Sequence, residues 1–180
     1  MLKNQREMLA AFNAHGVKYL VIGGHAVGVH AEPRGTRDLD VFIKRDPENA
    51  KAVFAALAEF GAPIQGMSAA DFNDQPSTAF QMGVPPGRVD ILQGIAAVTF
   101  EEAWADRVDG LLDGDTPAHI ISREHLIRNK LAVGRFQDLA DVEKLQESAP
   151  EEASGQGFGT AQDADESASS SPRNHSIVFK

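Results

Sequence analysis

Two short apolar runs lying close together constrain this chain most. Lys18-Tyr-Leu-Val-Ile22 and Leu39-Asp-Val-Phe-Ile43 are too short for buried helices and rich in β-branched and aromatic residues. They read as strands. Gly23-Gly24 ends the first, and residues 26–31 form a short helix stopped by Pro33. Met8, Leu9 and Phe12 share a helical face ahead of Gly16, and 47–60 is an amphipathic helix with Pro47 in its first turn and Gly61 after its end. Residues 79–84 and 88–92 read as a hairpin around Pro85-Pro-Gly87. Residues 100–108 read as helix, and Leu111 and 118–121 as short strands around Asp113-Gly-Asp115. Ser122 caps a helix over 123–133, and a last helix covers 136–146. Together these predict an α+β (mixed α/β) domain over 1–147, a mixed sheet flanked by helices with a C-terminal helical pair.

Residues 148–180 differ from all that precedes them. They hold seven Ser, five acids and only four large apolar residues, Phe158, Ile177, Val178 and Phe179. That is too little apolar surface to offset the entropy of ordering a chain, so the expectation is a disordered acidic tail. It carries −3 of the formal net charge of −9, leaving −6 on 1–147. This sign argues against a protein that coats nucleic acid through overall charge, although a local basic groove is compatible with it. Cys is absent, which excludes disulfides, thiolate metal sites and thiol catalysis, and fits a reducing cytoplasm. No apolar run reaches membrane-spanning length, and charges stand where a secretory apolar core would be. We expect a soluble cytoplasmic protein.

The chemistry concentrates between Gly23 and Ile43. A strand ending in two glycines at a helix start lets a phosphate approach bare backbone N–H groups and the positive helix end. Asp38 and Asp40 stand two apart at a strand start, so both side chains leave one face while Leu39, Val41 and Ile43 turn to the core. Two carboxylates on one face suit a Mg²⁺ that is also held by substrate phosphates. Asp-x-Asp alone says little. The chain has two more, 113/115 in a turn and 163/165 in the tail, where solvation explains them. Asp90 adds weight, because Val89 and Ile91 flank it and an acid in an apolar strand needs a cation or donors. It is either the third acid of a metal site, an acid on an edge strand, or the partner of Arg88. If its strand lies beside the 39–43 strand, three acids converge, and such a triad can hold two metal ions during in-line attack on phosphorus.

Gly23-Gly24, then Arg34-x-Thr36-x-Asp38-x-Asp40, then Asp90 on a later strand resembles the polymerase-beta-like nucleotidyltransferase superfamily. The resemblance covers about 17–145 and implies the nucleotidyltransferase fold. It implies catalytic and metal-binding roles for Asp38, Asp40 and Asp90, with Mg²⁺ or Mn²⁺ as cofactor. Gly23, Gly24, Arg34, Thr36 and Lys130 would bind the nucleotide. The stretch Leu126-Ile-Arg-Asn-Lys130-Leu-Ala-Val-Gly-Arg135-Phe-Gln-Asp138-Leu-Ala-Asp141-Val is similar to the close of the minimal and AbiEii-type toxin branch, which implies toxin–antitoxin biology and an antitoxin partner. The implied reaction moves NMP from an NTP to a hydroxyl of an RNA end such as tRNA, of a protein or of a small molecule. The alternative is a catalytically silent nucleotide-binding or regulatory module of the same fold. The chain departs from many members in carrying His25-Ala26 where Ser or Thr follows the glycines. His25 is therefore a candidate to meet phosphate, Thr36 caps a loop or bonds phosphate, Arg34 pairs with phosphate or braces its loop, and Arg135 pairs with Asp138 across one helical turn.

Overall fold

The structure is a computed structural model that describes residues 1–32, 35–73, 79–84 and 87–148. Arg34, the Pro85-Pro86 part of the hairpin turn and the expected tail from 149 onward lie outside these residues. The element order is α1 (Lys3–Ala14), β1 (Tyr19–Ile22), α2 (Gly23–His30), β2 (Leu39–Ile43), α3 (Pro47–Phe60), β3 (Ala79–Met82), β4 (Val89–Leu92), α4 (Phe100–Ala105), β5 (Val108–Leu112), β6 (Thr116–Ile120), α5 (Arg123–Val133) and α6 (Phe136–Glu147), with a 3₁₀ turn at Ala69–Phe72.

Local chemistry sets most of these boundaries. Asp46 accepts from the Asn49 amide ahead of Pro47, and Gly61 closes α3 in the left-handed region at φ 81°. Thr99 and Glu102 form a capping box on α4, and the Ser122 side chain accepts from His125 at the start of α5. The strand expected over 79–84 ends at Met82, that expected over 118–121 spans Thr116–Ile120, and two helix boundaries move by three residues. The helix after β1 starts at Gly23 rather than Ala26, so both glycines form its first turn. The helix from Phe100 ends at Ala105, and Val108, which continues its apolar pattern, instead opens β5 opposite Ile120. Cross-strand pairing there overrides helical periodicity.

The six strands run in the order β3-β4-β2-β1-β6-β5. β2 pairs parallel with β4 and β1 parallel with β6, and the other neighbours are antiparallel, so the sheet is mixed. Every residue of the central β1 is buried, which requires cover on both faces of the sheet. Met8, Leu9 and Phe12 of α1 join Val53 and Leu57 of α3 in the core, while α2 packs against α5 and α6. Truncating a fully buried residue such as Leu57 to Ala should cost about 2–5 kcal/mol. Among the described residues no helix is long and apolar enough to cross a membrane.

Candidate active site

The parallel pairing of β2 with β4 places Leu39 opposite Val89, Asp40 opposite Asp90 and Val41 opposite Ile91. Registered partners on adjacent strands project to the same face, so Asp40 and Asp90 stand side by side. One step earlier, Asp38 Oδ1 accepts from the backbone amides of Gly87 at 3.2 Å and Arg88 at 3.0 Å. The starts of the two strands thus present Asp38 beside Arg88 and Asp40 beside Asp90.

Arg88 is the cation inside this group. Its Nε lies 2.9 Å from Asp90 Oδ1 and its Nη2 4.0 Å from Asp38 Oδ2. The nearer contact is close but poorly directed, since both Arg88 Nε and Asp90 Oδ1 are buried atoms without a hydrogen bond. Ion pairing with Arg88 therefore leaves Asp90 only partly satisfied. Burial, and then the charges of Asp90 and Asp38, push the Asp40 carboxyl up to about 6, against the opposing pull of Arg88 and Lys130. Asp90 is also held above the usual carboxylate range, chiefly by burial, with Arg88 acting against it.

On its other side, Asp40 meets the first turn of α2. Gly23 has φ +63°, and a Cβ there would stand 2.1 Å from Asp40 Oδ2. Only Gly permits that approach. No side chain caps the N-terminus of α2, whose first residue, Gly23, lies against Asp40. His25, in the same turn, is about nine-tenths buried, and its Nε2 has no hydrogen-bonding partner among the described residues. Burial lowers its pKa, which favours the neutral ring.

Lys130 reaches the group from α5. Its charge acts on Asp40, yet its ammonium is itself buried, 2.7 Å from Asp141 Oδ2 and 3.1 Å from Asp138 Oδ1. Asp138 thus pairs across the α5–α6 turn with Lys130 and not along its own helix with Arg135. Thr36 Oγ1 donates to the Asp38 carbonyl at 3.3 Å, the loop-bracing one of its two expected roles. Arg37 is exposed, as its place between motif residues suggests.

Sequence reading missed Gln5. It is fully buried, and it occupies the helical stripe of Met8, Leu9 and Phe12, where a polar residue signals a bonded amide. Its Nε2 donates to the carbonyls of Arg37 and Arg88.

Whether these residues suit a divalent cation can be tested on their chemistry. Among the described residues, no three acidic or imidazole side chains form a ready-made metal cage. Mg²⁺, however, commonly uses only one or two carboxylates and completes its shell with water and substrate phosphates. Asp38 and Asp40 supply hard oxygens, burial and then neighbouring carboxylate charge raise the Asp40 and Asp90 carboxyls, and Asp90 Oδ1 lacks a hydrogen bond. The donor set fits such a shared site.

No protein-family model matches the sequence, and no curated protein matches it. Solved structures do match the architecture. The antibiotic-resistance factor ANT(2'')-Ia aligns with TM-score 0.57 at 15% identity, over 81% of this chain and 82% of that one. The lincosamide antibiotic adenylyltransferase LnuA, solved with lincomycin bound, aligns with TM-score 0.54 at 19% identity, over 81% of this chain and 96% of that one. The Thermotoga maritima protein TM1012, assigned as a nucleotidyltransferase, gives TM-score 0.50 at 14% identity, over 82% and 96%. The fold is the nucleotidyltransferase fold. Identities this low establish the shared architecture alone.

Proposed function

We propose that the protein is a metal-dependent nucleotidyltransferase that moves a nucleoside monophosphate from an NTP to a hydroxyl. The observation that carries this reading is the in-register pairing of Asp40 with Asp90, set against the uncapped first turn of α2 at Gly23. Asp38 and Asp40 would hold Mg²⁺ or Mn²⁺, with Asp90 as the third acid. The bound ion would neutralise phosphate charge and polarise the α-phosphorus. The N–H groups of Gly23 and Gly24 receive the triphosphate, and Lys130 opposes the charge that develops on it. Asp90 orients the acceptor hydroxyl and takes its proton. The acceptor oxygen bonds to the α-phosphorus as the bond to the bridging oxygen breaks, and pyrophosphate leaves.

The acceptor is a hydroxyl of a small molecule or of an RNA end. Two of the fold neighbours, an antibiotic-resistance factor and an adenylyltransferase, support the first, and the net −6 on 1–147 disfavours a long nucleic-acid footprint. A toxin role with an antitoxin partner follows only from the resemblance of the 126–142 stretch. Incubating the protein with α-labelled NTPs and fractionated cell extract tests the reading directly. Label should appear in an acceptor fraction, and Asp38→Asn with Asp40→Asn should abolish it while circular dichroism remains unchanged. Transfer that survives the double substitution refutes the assignment.

One observation favours a second reading. Arg88 lies against Asp90 where a cation would otherwise approach, as in a pocket that binds nucleotide without turnover. Calorimetric binding of NTP and Mg²⁺ with no labelled acceptor in any fraction would select this silent module.

A further inference from the structure

Gln5 joins two segments that carry acids. Its Nε2 donates to the Arg37 carbonyl at 2.6 Å and to the Arg88 carbonyl at 3.4 Å, while its Oε1 accepts from the Leu2 amide at 3.0 Å. Arg37 immediately precedes Asp38, and Arg88 stands two residues before Asp90. The Arg88 carbonyl also accepts from the Leu39 amide at 2.9 Å, and Asp38 Oδ1 accepts from the Gly87 and Arg88 amides. A single buried amide on α1 therefore spans the starts of both acid-bearing strands.

Helix capping does not explain this choice of residue. The Oε1 contact is the N3-to-N-cap half of a capping box, the other half being closed to Leu2, but Glu fills that position as well, with added benefit from the helix dipole. Glu cannot donate two hydrogens to two carbonyls. Only the amide satisfies both carbonyls and the cap together. We propose that Gln5 is a positioning residue, and that its clamp across the starts of β2 and β4 sets the spacing of Asp38 and Asp90 about Asp40. This rests on the nucleotidyl-transfer reading for its consequence, though not for its geometry. Carboxylates that share a cation must hold their positions to within about half an ångström, and α1 supplies that support from outside the sheet.

The test compares Gln5→Glu and Gln5→Met with Ala11→Gly, a buried change on the same helix away from the acids. Gln5→Glu keeps the cap and sets an acceptor against the two carbonyls, and Gln5→Met removes both functions. Backbone hydrogen exchange over 37–41 and 87–91 should quicken about tenfold in both Gln5 variants, beyond any change in Ala11→Gly. Mn²⁺ affinity in the presence of a non-hydrolysable NTP should weaken, and kcat should fall about tenfold to a hundredfold with the acceptor KM little changed. Exchange and Mn²⁺ affinity that match Ala11→Gly at equal Tm would overturn the clamp. So would loss of the fold in Gln5→Glu, which would make Gln5 a folding residue. Absence of transfer and of Mn²⁺ binding in the wild-type protein would instead defeat the transferase reading, leaving the exchange data to decide the clamp.

Discussion

Asp40 and Asp90 stand in register across the parallel β2–β4 pair, where burial and then the charge of Asp90 raise the Asp40 carboxyl, while burial, joined by the charge of Asp38, raises that of Asp90. Parallel neighbours present matched side chains on one face, so the proximity of these acids is built into the backbone pairing.

The first prediction concerns stability. The rise of the Asp40 carboxyl from 3.8 to about 6 corresponds to about 3 kcal/mol at ~1.4 kcal/mol per pH unit, and solvent access to this half-buried group reduces it to about 1–2 kcal/mol. Below pH 3.8 the group is protonated in both folded and unfolded chains, and nothing is lost. As pH rises through 6 the folded protein must charge it, and that stability disappears. Asp40→Asn should therefore raise the Tm of the metal-free protein at pH 7.5, and the gain should vanish near pH 4. A variant no more stable than wild type at pH 7.5 would contradict the crowding.

The second prediction isolates Gly23. Gly23 and Gly16 share φ +63°, but a Cβ on Gly16 meets nothing within 4 Å, whereas one on Gly23 would strike Asp40 Oδ2 at 2.1 Å. Gly16→Ala should cost only the left-handed strain, about 1–2 kcal/mol, with transfer unaffected. Gly23→Ala adds the collision and should lower kcat about a hundredfold by displacing Asp40. Equal kcat in the two variants would separate Gly23 from the site.

These contrasts show how much of the molecule was readable beforehand. Alternation around Asp38-x-Asp40 and the apolar neighbours of Asp90 disclosed the acids, because strand period fixes which side chains share a face. Pro47 and Gly61 bounded α3 because each restricts the backbone locally. Long-range partners were another matter. Gln5 and Asp141 both sit on buried helical stripes, and a sequence read along one helix assigned Asp138 to Arg135 rather than to Lys130 on the neighbouring helix. Val108 illustrates the same limit, since its pairing with Ile120 is invisible to local periodicity.

Arg88 supports a third prediction. Its guanidinium lies against the carboxylates that would bind a cation, and it lowers the pKa values of both Asp40 and Asp90. Arg88→Gln leaves those acids more crowded. Metal-free Tm should fall further as pH rises from 5 to 8, because both carboxyls then charge at greater cost. Mn²⁺ should bind roughly tenfold more tightly, ~1.4 kcal/mol, as the competing cation is gone. Weaker Mn²⁺ binding in titration calorimetry would show that Arg88 organises the site instead of competing for it.

Lys130 poses the sharpest choice between anchoring and chemistry. Its ammonium is buried against Asp141, which is fully buried, and against Asp138. Lys130→Met withdraws the charge that Asp141 faces at 2.7 Å, and breaking such a pair costs about 3–5 kcal/mol. Adding Asp141→Leu should recover much of that loss, since apolar replacement of a buried pair is often neutral. Denaturant midpoints measure the recovery, and transfer assays on the same two proteins supply the decision. If Lys130 acts on the triphosphate, the stabilised double variant stays inactive, with kcat down about a hundredfold, the scale of one lost charge-stabilising donor. If the double variant regains transfer together with stability, Lys130 is an anchor for the α5–α6 pair, and phosphate neutralisation must come from elsewhere.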